Sequence, residues 1–475
     1  MVAFAPLPAL TPLESKLESK RDPSAAARTF DVVIVGAGMV GSALAAALAG
    51  SSLKVALVEA RDLSLGMGPD GRASALGLGS IQLFEAIGAW DLMRQLGVSP
   101  IERIEISDGD FRGVAHLRHS DIDQPALGYI VENRVTQIGL QQVLRSADNI
   151  HLISPARIQG FATDAQQAWQ IIHLETDLEP GSLHPDQKPT LITIKTKLLV
   201  ACDGVHSQVR QQAGIPVRAW GYGQSCLVST VTTERPHHQV AYERFRPWGP
   251  FAILPMTPSA QSLGESSEYS HRSCVVWTIS DIERERLMAL SEAEFLAAMA
   301  PSFGSQLGAL LSASPRACYQ PRRLHAQRYT APRLALVGDA AHSTHPVGGQ
   351  GVNMGLRDVT QLAQLVLTAA AEQQDPGSDL VLKRYEGSRS WDNRAVLLGT
   401  DIANRAFSNN WILLREARRL GILTLEHALW LKRPLMRQAM GIAPYHPRLQ
   451  GSLRSQPQTM PSKSMPSIGV SEPSR

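Results

Sequence analysis

The chain has 475 residues, 44% of them hydrophobic, which is more apolar material than one ordinary core absorbs and predicts two domains. A formal charge of +3 is too small at this length to set up a global field favouring nucleic acid, and no run of 18 uncharged apolar residues offers a membrane span. Cys202, Cys226, Cys274 and Cys318 stand far apart without metal-ligand spacing and read as reduced core thiols, and no compact secretion signal opens the chain, so a cytoplasmic enzyme, with a membrane-apposed variant open, is expected.

Residues 1–27 mix prolines, serines and charges without period and read as a disordered arm. Order begins near Arg28. The stretch from Phe30 to Glu59 then reads as strand, glycine turn, helix and second strand closed by an acid. Gly36, Gly38 and Gly41 have the spacing of a dinucleotide-binding turn, in which a tight bend, close backbone approach to a pyrophosphate and close helix–strand packing each need a residue without Cβ. The helix opening near Met39 aims free N–H groups and its positive end at that pyrophosphate, and Glu59 stands where a carboxylate accepts from ribose hydroxyls.

Beyond a Gly-rich stretch ending at Gly71, Arg72 precedes a helix with apolar positions Ile81, Leu83, Phe84 and Ile87; it is either a helix-entry cation or a flavin or phosphate contact. Ile101, Ile104 and Ile106 alternate as in a strand. Arg134, at the entrance of a helix through Ile138, Leu140, Val143 and Leu144, is a surface charge or an arginine turned to phosphates. A strand meander over 150–200, broken by a loop near 178–189, leads into Asp203-Gly204, with Ser207 and Arg210 behind it. Polar groups at a strand's carboxyl end are where α/β proteins bind ligands, although an Asp-Gly turn into a capped helix gives the same pattern.

From 221 to 328 the alternating segments Tyr222 to Thr233, Gln239 to Phe245, Phe251 to Met256 and Cys274 to Ile279 predict a β-rich domain with a half-apolar face suited to an aromatic or lipid-like substrate, ending in a helix over Ser291 to Leu311. Strand Leu334 to Val337 delivers Gly338 and Asp339 into a second glycine-rich loop, His345-Pro346-Val347-Gly348-Gly349-Gln350-Gly351, before a helix from Val352 through Asn353 to about Ala371. That helix's N-terminus stabilises negative charge by about 0.3–1 kcal/mol. His342 and His345 have spacing compatible with acid–base or metal roles, with packing or hydrogen bonding the better-supported reading, and no metal is expected. Residues 394–442 predict helices in which Arg405, Arg415, Arg418, Arg419, Lys432, Arg433 and Arg437 alternate with apolar residues, covering the cofactor domain or meeting a membrane or partner. A disordered tail follows from 451.

The three loops in this order, GxGxxG, DGxxSxxR and GDAAHxxxPxxGQG, resemble the group A flavoprotein aromatic hydroxylases. Ala241-Tyr242-Glu243-Arg244-Phe245, Gly249 to Pro255, Trp277, Thr400-Asp401 and Arg415 to Leu420 make the chain most similar to the ubiquinone-biosynthesis hydroxylases of the UbiH/Coq6 type, from about residue 28 to 445. The resemblance implies an α/β fold: a Rossmann-like FAD-binding domain of the aromatic-hydroxylase type in three parts (28–100, 129–220, 329–393), an inserted β-rich substrate domain (101–128, 221–328) and C-terminal helices (394–450). It implies FAD held by Gly36, Gly38, Gly41, Glu59, Arg72, Arg134, Asp203, Gly204, Arg210, Gly338, Asp339 and Asn353. Pro346, Gly349, Gln350 and Gly351 would flank the flavin ring, with no side-chain acid or base assigned.

The same resemblance implies NAD(P)H or another electron donor, O2, a flavin C4a-hydroperoxide, and hydroxylation of a lipid-tailed, polyprenylated phenol in ubiquinone or related prenylquinone biosynthesis. Peripheral membrane contact through the basic helices and a place in a quinone-biosynthesis assembly go with it; nucleic acid does not. A flavin-binding scaffold subunit, or a group A hydroxylase of small aromatics, are the alternatives. Gly348 stands where relatives often have Ala, a change that glycine's freedom tolerates.

Overall fold

Strand Arg28–Val35 is the axis of the larger sheet because Val32, Val33 and Ile34 are wholly buried and therefore need a partner on each edge and a cover on each face. It pairs in parallel with Thr190–Ala201 on one side and with Val55–Val58 on the other. Leu334–Leu336 and Ile150–Ile153 extend this parallel core at its two ends. The computed structural model describes residues 28–63, 72–109, 111, 113–176, 190–257, 270–407 and 412–449; the expected arm, the tail and the loop near 178–189 lie outside them.

Three loops leave adjacent parallel strands at their carboxyl ends: Gly36 after Val35, Asp203 after Ala201, and Gly338 after Leu336. The register Val35 to Ala201 to Leu336 sets those exits side by side. Helices Met39–Ala47 and Gln350–Ala371 pack on this sheet, and at their crossing a Cβ on Gly355 would lie 2.9 Å from Val40 Cγ2.

A second sheet runs in the order Leu310–Ala313, Gln224–Thr233, Arg272–Ser280, Gly249–Pro255, Val240–Arg246, Arg103–Asp108, Val114–Arg118. One of its faces packs Leu227, Tyr242, Phe251 and Val275 on helix Glu292–Phe303. The other carries Val228, Ala241, Leu254 and Cys274 and meets Ala73 and Ala75 of strand Ala73–Gly77 together with Met436 and Met440 near the C-terminus.

The helix expected through Ile81, Leu83 and Phe84 is Leu78–Ala86, and the strand Ala73–Gly77, not expected from the sequence, precedes it and pairs along Gly128–Glu132. Two other expectations differ from what is observed. The helix expected to reach Leu311 ends at Phe303; Gly304 follows at φ +79°, a conformation that stops a helix, and Leu310–Ala313 joins the sheet edge. Helix Asp379–Phe407 runs without a break through 393–394, where the sequence suggested a boundary. Among the described residues no helix is long and apolar enough to cross a membrane.

Candidate functional site

The site is built from the three loop exits. Gly36 has φ +102°, and a Cβ there would lie 2.5 Å from Cys202 O; one on Gly41 would collide with Gly36 O. These two glycines close the turn on itself. Gly38 differs, because a Cβ there would meet nothing within 4 Å: the space in front of it is open, and so is the space in front of Gly204, Gly348 and Gly351. The turn is fastened from outside. Glu59 accepts from Ala37 N at 2.7 Å and from Arg61 N at 3.0 Å, and Gln137 donates to Ala37 O at 3.1 Å. Gln137 was not singled out in the sequence; a buried glutamine one turn into the helix behind Arg134 was the available signal.

At the second exit Ser207 caps the short helix Gln208–Gln212 by accepting from Arg210 N at 3.0 Å, and Asp203 Oδ2 accepts from Val209 N at 3.2 Å. The capped-turn reading therefore holds. Among the described residues Asp203 Oδ1 is buried without a donor, which leaves one acceptor unused. Arg210 donates to Ala340 O at 2.8 Å and Val205 O at 3.0 Å, so its guanidinium staples the second loop to the third.

The third loop carries two successive left-handed glycines, Gly348 and Gly349, each at φ +62°. Asn353 fixes it with four bonds: it accepts from Gly77 N at 2.8 Å and Ser80 Oγ at 2.7 Å, and donates to Ala75 O and Gly349 O at 2.8 Å. Gln350 spans Gly348 O at 3.0 Å and Ala439 O at 3.3 Å. Asp339 is exposed, yet protein crowds it enough that desolvation raises its carboxyl, with His342 pulling it partly back. Behind the loop, Asp358 gathers Gly338 N, His342, Arg389 and Asn393. Burial pushes its carboxyl up, but the His342 and Arg389 interactions outweigh burial and hold it at about 2.

His342 thus hydrogen-bonds, whereas His345 packs: its ring stands edge-on to Tyr222, centroids 5.2 Å apart, with neither nitrogen bonded among the described residues. Desolvation lowers it to about 4, so it is neutral near pH 7. Arg72 is exposed and close enough to Tyr319 to act on its hydroxyl. Arg134 pairs with Glu132 at 2.8 Å with half its side chain exposed. Among the described residues no group of three His, Cys, Asp or Glu could hold a metal.

Over residues 29–397 the chain matches the family described as FAD binding domain. It is similar to ubiquinone hydroxylase UbiL of Rhodospirillum rubrum, 39% identical over 89% of this chain and 92% of that protein. It is 35% identical to 3-demethoxyubiquinol 3-hydroxylase of Escherichia coli, over 87% of this chain and 98% of that one. For ubiquinone biosynthesis monooxygenase COQ6, mitochondrial, of Rattus norvegicus the identity is 31% over 86% and 90%. Among solved structures, p-nitrophenol 4-monooxygenase PnpA from Pseudomonas putida aligns at TM-score 0.69, 18% identity, 88% of this chain and 100% of that one. OxyS anhydrotetracycline hydroxylase from Streptomyces rimosus aligns at 0.62, 21% identity, 87% and 76%; at such identities the likeness is one of fold.

The residues present fit FAD. Free N–H groups open helix Met39–Ala47, which has no acid in its first turn, and the unfilled space before Gly38 and Gly204 lets a pyrophosphate approach the backbone.

Proposed function

The chain belongs to the FAD-binding monooxygenase family that contains the ubiquinone-biosynthesis hydroxylases, and from that membership we propose that it hydroxylates the ring of a polyprenylated phenol on the way to ubiquinone or a related prenylquinone. FAD, reduced by NAD(P)H or another donor, supplies the oxygen-transfer chemistry. The protein's own part is positioning. Gly38 would face the pyrophosphate across a turn that Gly36 and Gly41 close and Glu59 braces, and Asp339 would meet the cofactor from the third loop. Asn353 fixes Gly349 against Ala75, and the loop so held would position the flavin ring.

The observation that carries this reading is the sheet face turned to that loop. Val228, Ala241, Leu254 and Val276 form an apolar floor that continues through Ala73 and Ala75 to the wall on which Gly349 rests. Such a floor excludes water and takes up apolar chain, each buried methylene contributing about 0.8 kcal/mol. Affinity for a tailed phenol should therefore exceed that for the bare ring.

Delivery of that tail involves the C-terminal helices Ile412–His427 and Leu429–Ala439, on which Leu413 is 86% and Trp430 78% exposed. Arg433 and Arg437 flank this apolar surface. The basic set is smaller than the sequence suggested, since Arg418 turns inward to Asp108 at 3.1 Å and Lys432 to Asp121 at 3.3 Å. We assign this surface to peripheral contact with an anionic membrane. The test is oxygen consumption and product mass with tailed and tail-less phenols, alongside liposome co-sedimentation at low and high salt. Equal turnover of both phenols overturns the lipid-substrate reading. Absence of liposome binding moves delivery to a partner in a quinone-synthesis assembly.

A further inference from the structure

We propose that Glu243 receives the ring hydroxyl of the substrate, accepting its hydrogen bond and taking its proton as oxygen is transferred. This rests on the reading of the protein as a phenol hydroxylase. On the face turned to the cofactor domain, Val228 pairs with Val276, Val276 with Ala252, Ala252 with Glu243, Glu243 with Ile106, and Ile106 with Ala115. A row crossing six strands holds five apolar side chains and one carboxyl. Alternation fixes the direction: Tyr242 belongs to the core on the opposite face, and Arg244 stands against Gly304 at the end of the helix there. Glu243 therefore shares its face with Ala241 and Phe245.

Glu243 is half-buried in this apolar row, so its carboxyl is open to whatever enters along the floor, and a carboxylate in such surroundings gains from a donor that comes with an apolar ligand. Among the described residues none donates to Glu243. Burial alone pushes its carboxyl up to about 7, with no neighbouring charge contributing. The other titratable groups on this face are differently engaged. Asp108 is bound by Arg418 at 3.1 Å, and burial pushes the Cys226 and Cys274 thiols up to about 12 and about 11. The Tyr319 hydroxyl, raised by burial, bonds Cys226. Facing the sheet, Met436 and Met440 of the C-terminal segment and Ala73 and Ala75 bring no charge, and Arg72 acts on Tyr319. The site thus lacks one donor. A phenol O–H, delivered with its apolar tail along the same floor, supplies it.

In the transfer step the phenol O–H bond breaks, a Glu243 O–H bond forms, and the electron pair stays on the substrate, enriching the ring carbons that accept oxygen. When the oxygenated ring loses its C–H proton to solvent, the carboxyl returns its proton to the ring oxygen. Glu243 ends as it began.

The test uses FAD-loaded protein without electron donor, titrated calorimetrically with a farnesylated phenol and with its methyl ether, which keeps the tail and loses the donor. The wild type should prefer the phenol by about ten-fold or more, and the preference should shrink as pH falls through about 7. Glu243→Gln should retain FAD, bind both compounds alike at every pH, and lose about 100-fold in kcat. Glu243→Asp, which withdraws the charge by one methylene, should keep the pH dependence at lower kcat and serves if the amide variant does not fold. A Glu243→Gln protein with the wild-type preference and pH profile overturns the assignment, as does a Glu243→Asp protein without pH dependence. A wild type that binds neither compound overturns the phenol-hydroxylase reading itself.

Discussion

Asp358 and His342 meet at 2.5 Å behind the third loop, both wholly enclosed, and the second carboxylate oxygen of Asp358 takes Arg389 at 2.8 Å. This carboxylate, and not either histidine, is the centre of the polar core, and Arg389 passes the network on to Asp392 at 2.7 Å and thence to Arg357 at 3.3 Å. Breaking one member of such a set leaves buried charges unmatched. Asp358→Asn should cost about 3–5 kcal/mol in chemical denaturation. Because its folded carboxyl sits below its unfolded value, its contribution is complete above about pH 4 and declines as pH falls towards about 2.

His345 should act in the same sense at higher pH, although here it is the neutral form that the fold favours. Its ring titrates lower in the folded protein than in the unfolded chain, so the unfolded state binds the extra proton between about 6.5 and about 4 and stability rises with pH over that window. His345→Phe keeps the edge contact with Tyr222 and removes the ring nitrogens. Melting curves at pH 5 and pH 7.5 should converge in the variant relative to wild type; an unchanged difference would contradict this account.

The two kinds of glycine in the first turn predict different failures. Gly38→Val should fold, since a Cβ has open space there, but lose bound flavin absorbance. Gly41→Ala should not fold normally, because its Cβ would strike Gly36 O. Circular dichroism read beside flavin occupancy separates them, and a Gly38→Val protein with full FAD would refute the placement of the pyrophosphate.

Asp339→Ala should weaken FAD binding by about 10-fold or more, as loss of a hydrogen bond to a charged group costs about 1.5–3 kcal/mol. Turnover at fixed FAD should fall with it. A variant with normal FAD affinity and normal turnover would remove Asp339 from the site.

Asn353→Ala should strand Gly77 N, Ala75 O and Gly349 O, at about 1–3 kcal/mol for each group that stays buried. Its effect should appear as a lower melting temperature and a lower kcat. Unaltered kcat would mean that the position of Gly349 is held by other contacts.

The parts of the site legible in the sequence are those with a local signature. Gly36, Gly38 and Gly41 follow a buried strand, and Asp203 and Gly338 end others, so strand, turn and helix could be read within short windows. What escaped is held by partners remote in sequence. Gln137 serves Ala37 across 100 positions and Arg210 serves Ala340 across 130, and neither leaves a periodic trace. The isolation of Glu243 was equally invisible, because it depends on which strands flank it. The helix expected to reach Leu311 failed for a local reason: apolar spacing over 304–311 fits a strand edge once Gly304 turns the chain.

The bond from Gly77 to Asn353 joins positions 276 apart, and it fixes when the protein can acquire its cofactor. A growing chain folds from its N-terminus as it emerges. The first turn can form early, but until Asn353 has been synthesised nothing in that set of four bonds ties Gly349 to Ala75. Stable flavin capture should therefore wait until Asn353 has emerged, late in elongation, and chains stalled before residue 353 should be colourless even when their parallel strands have paired.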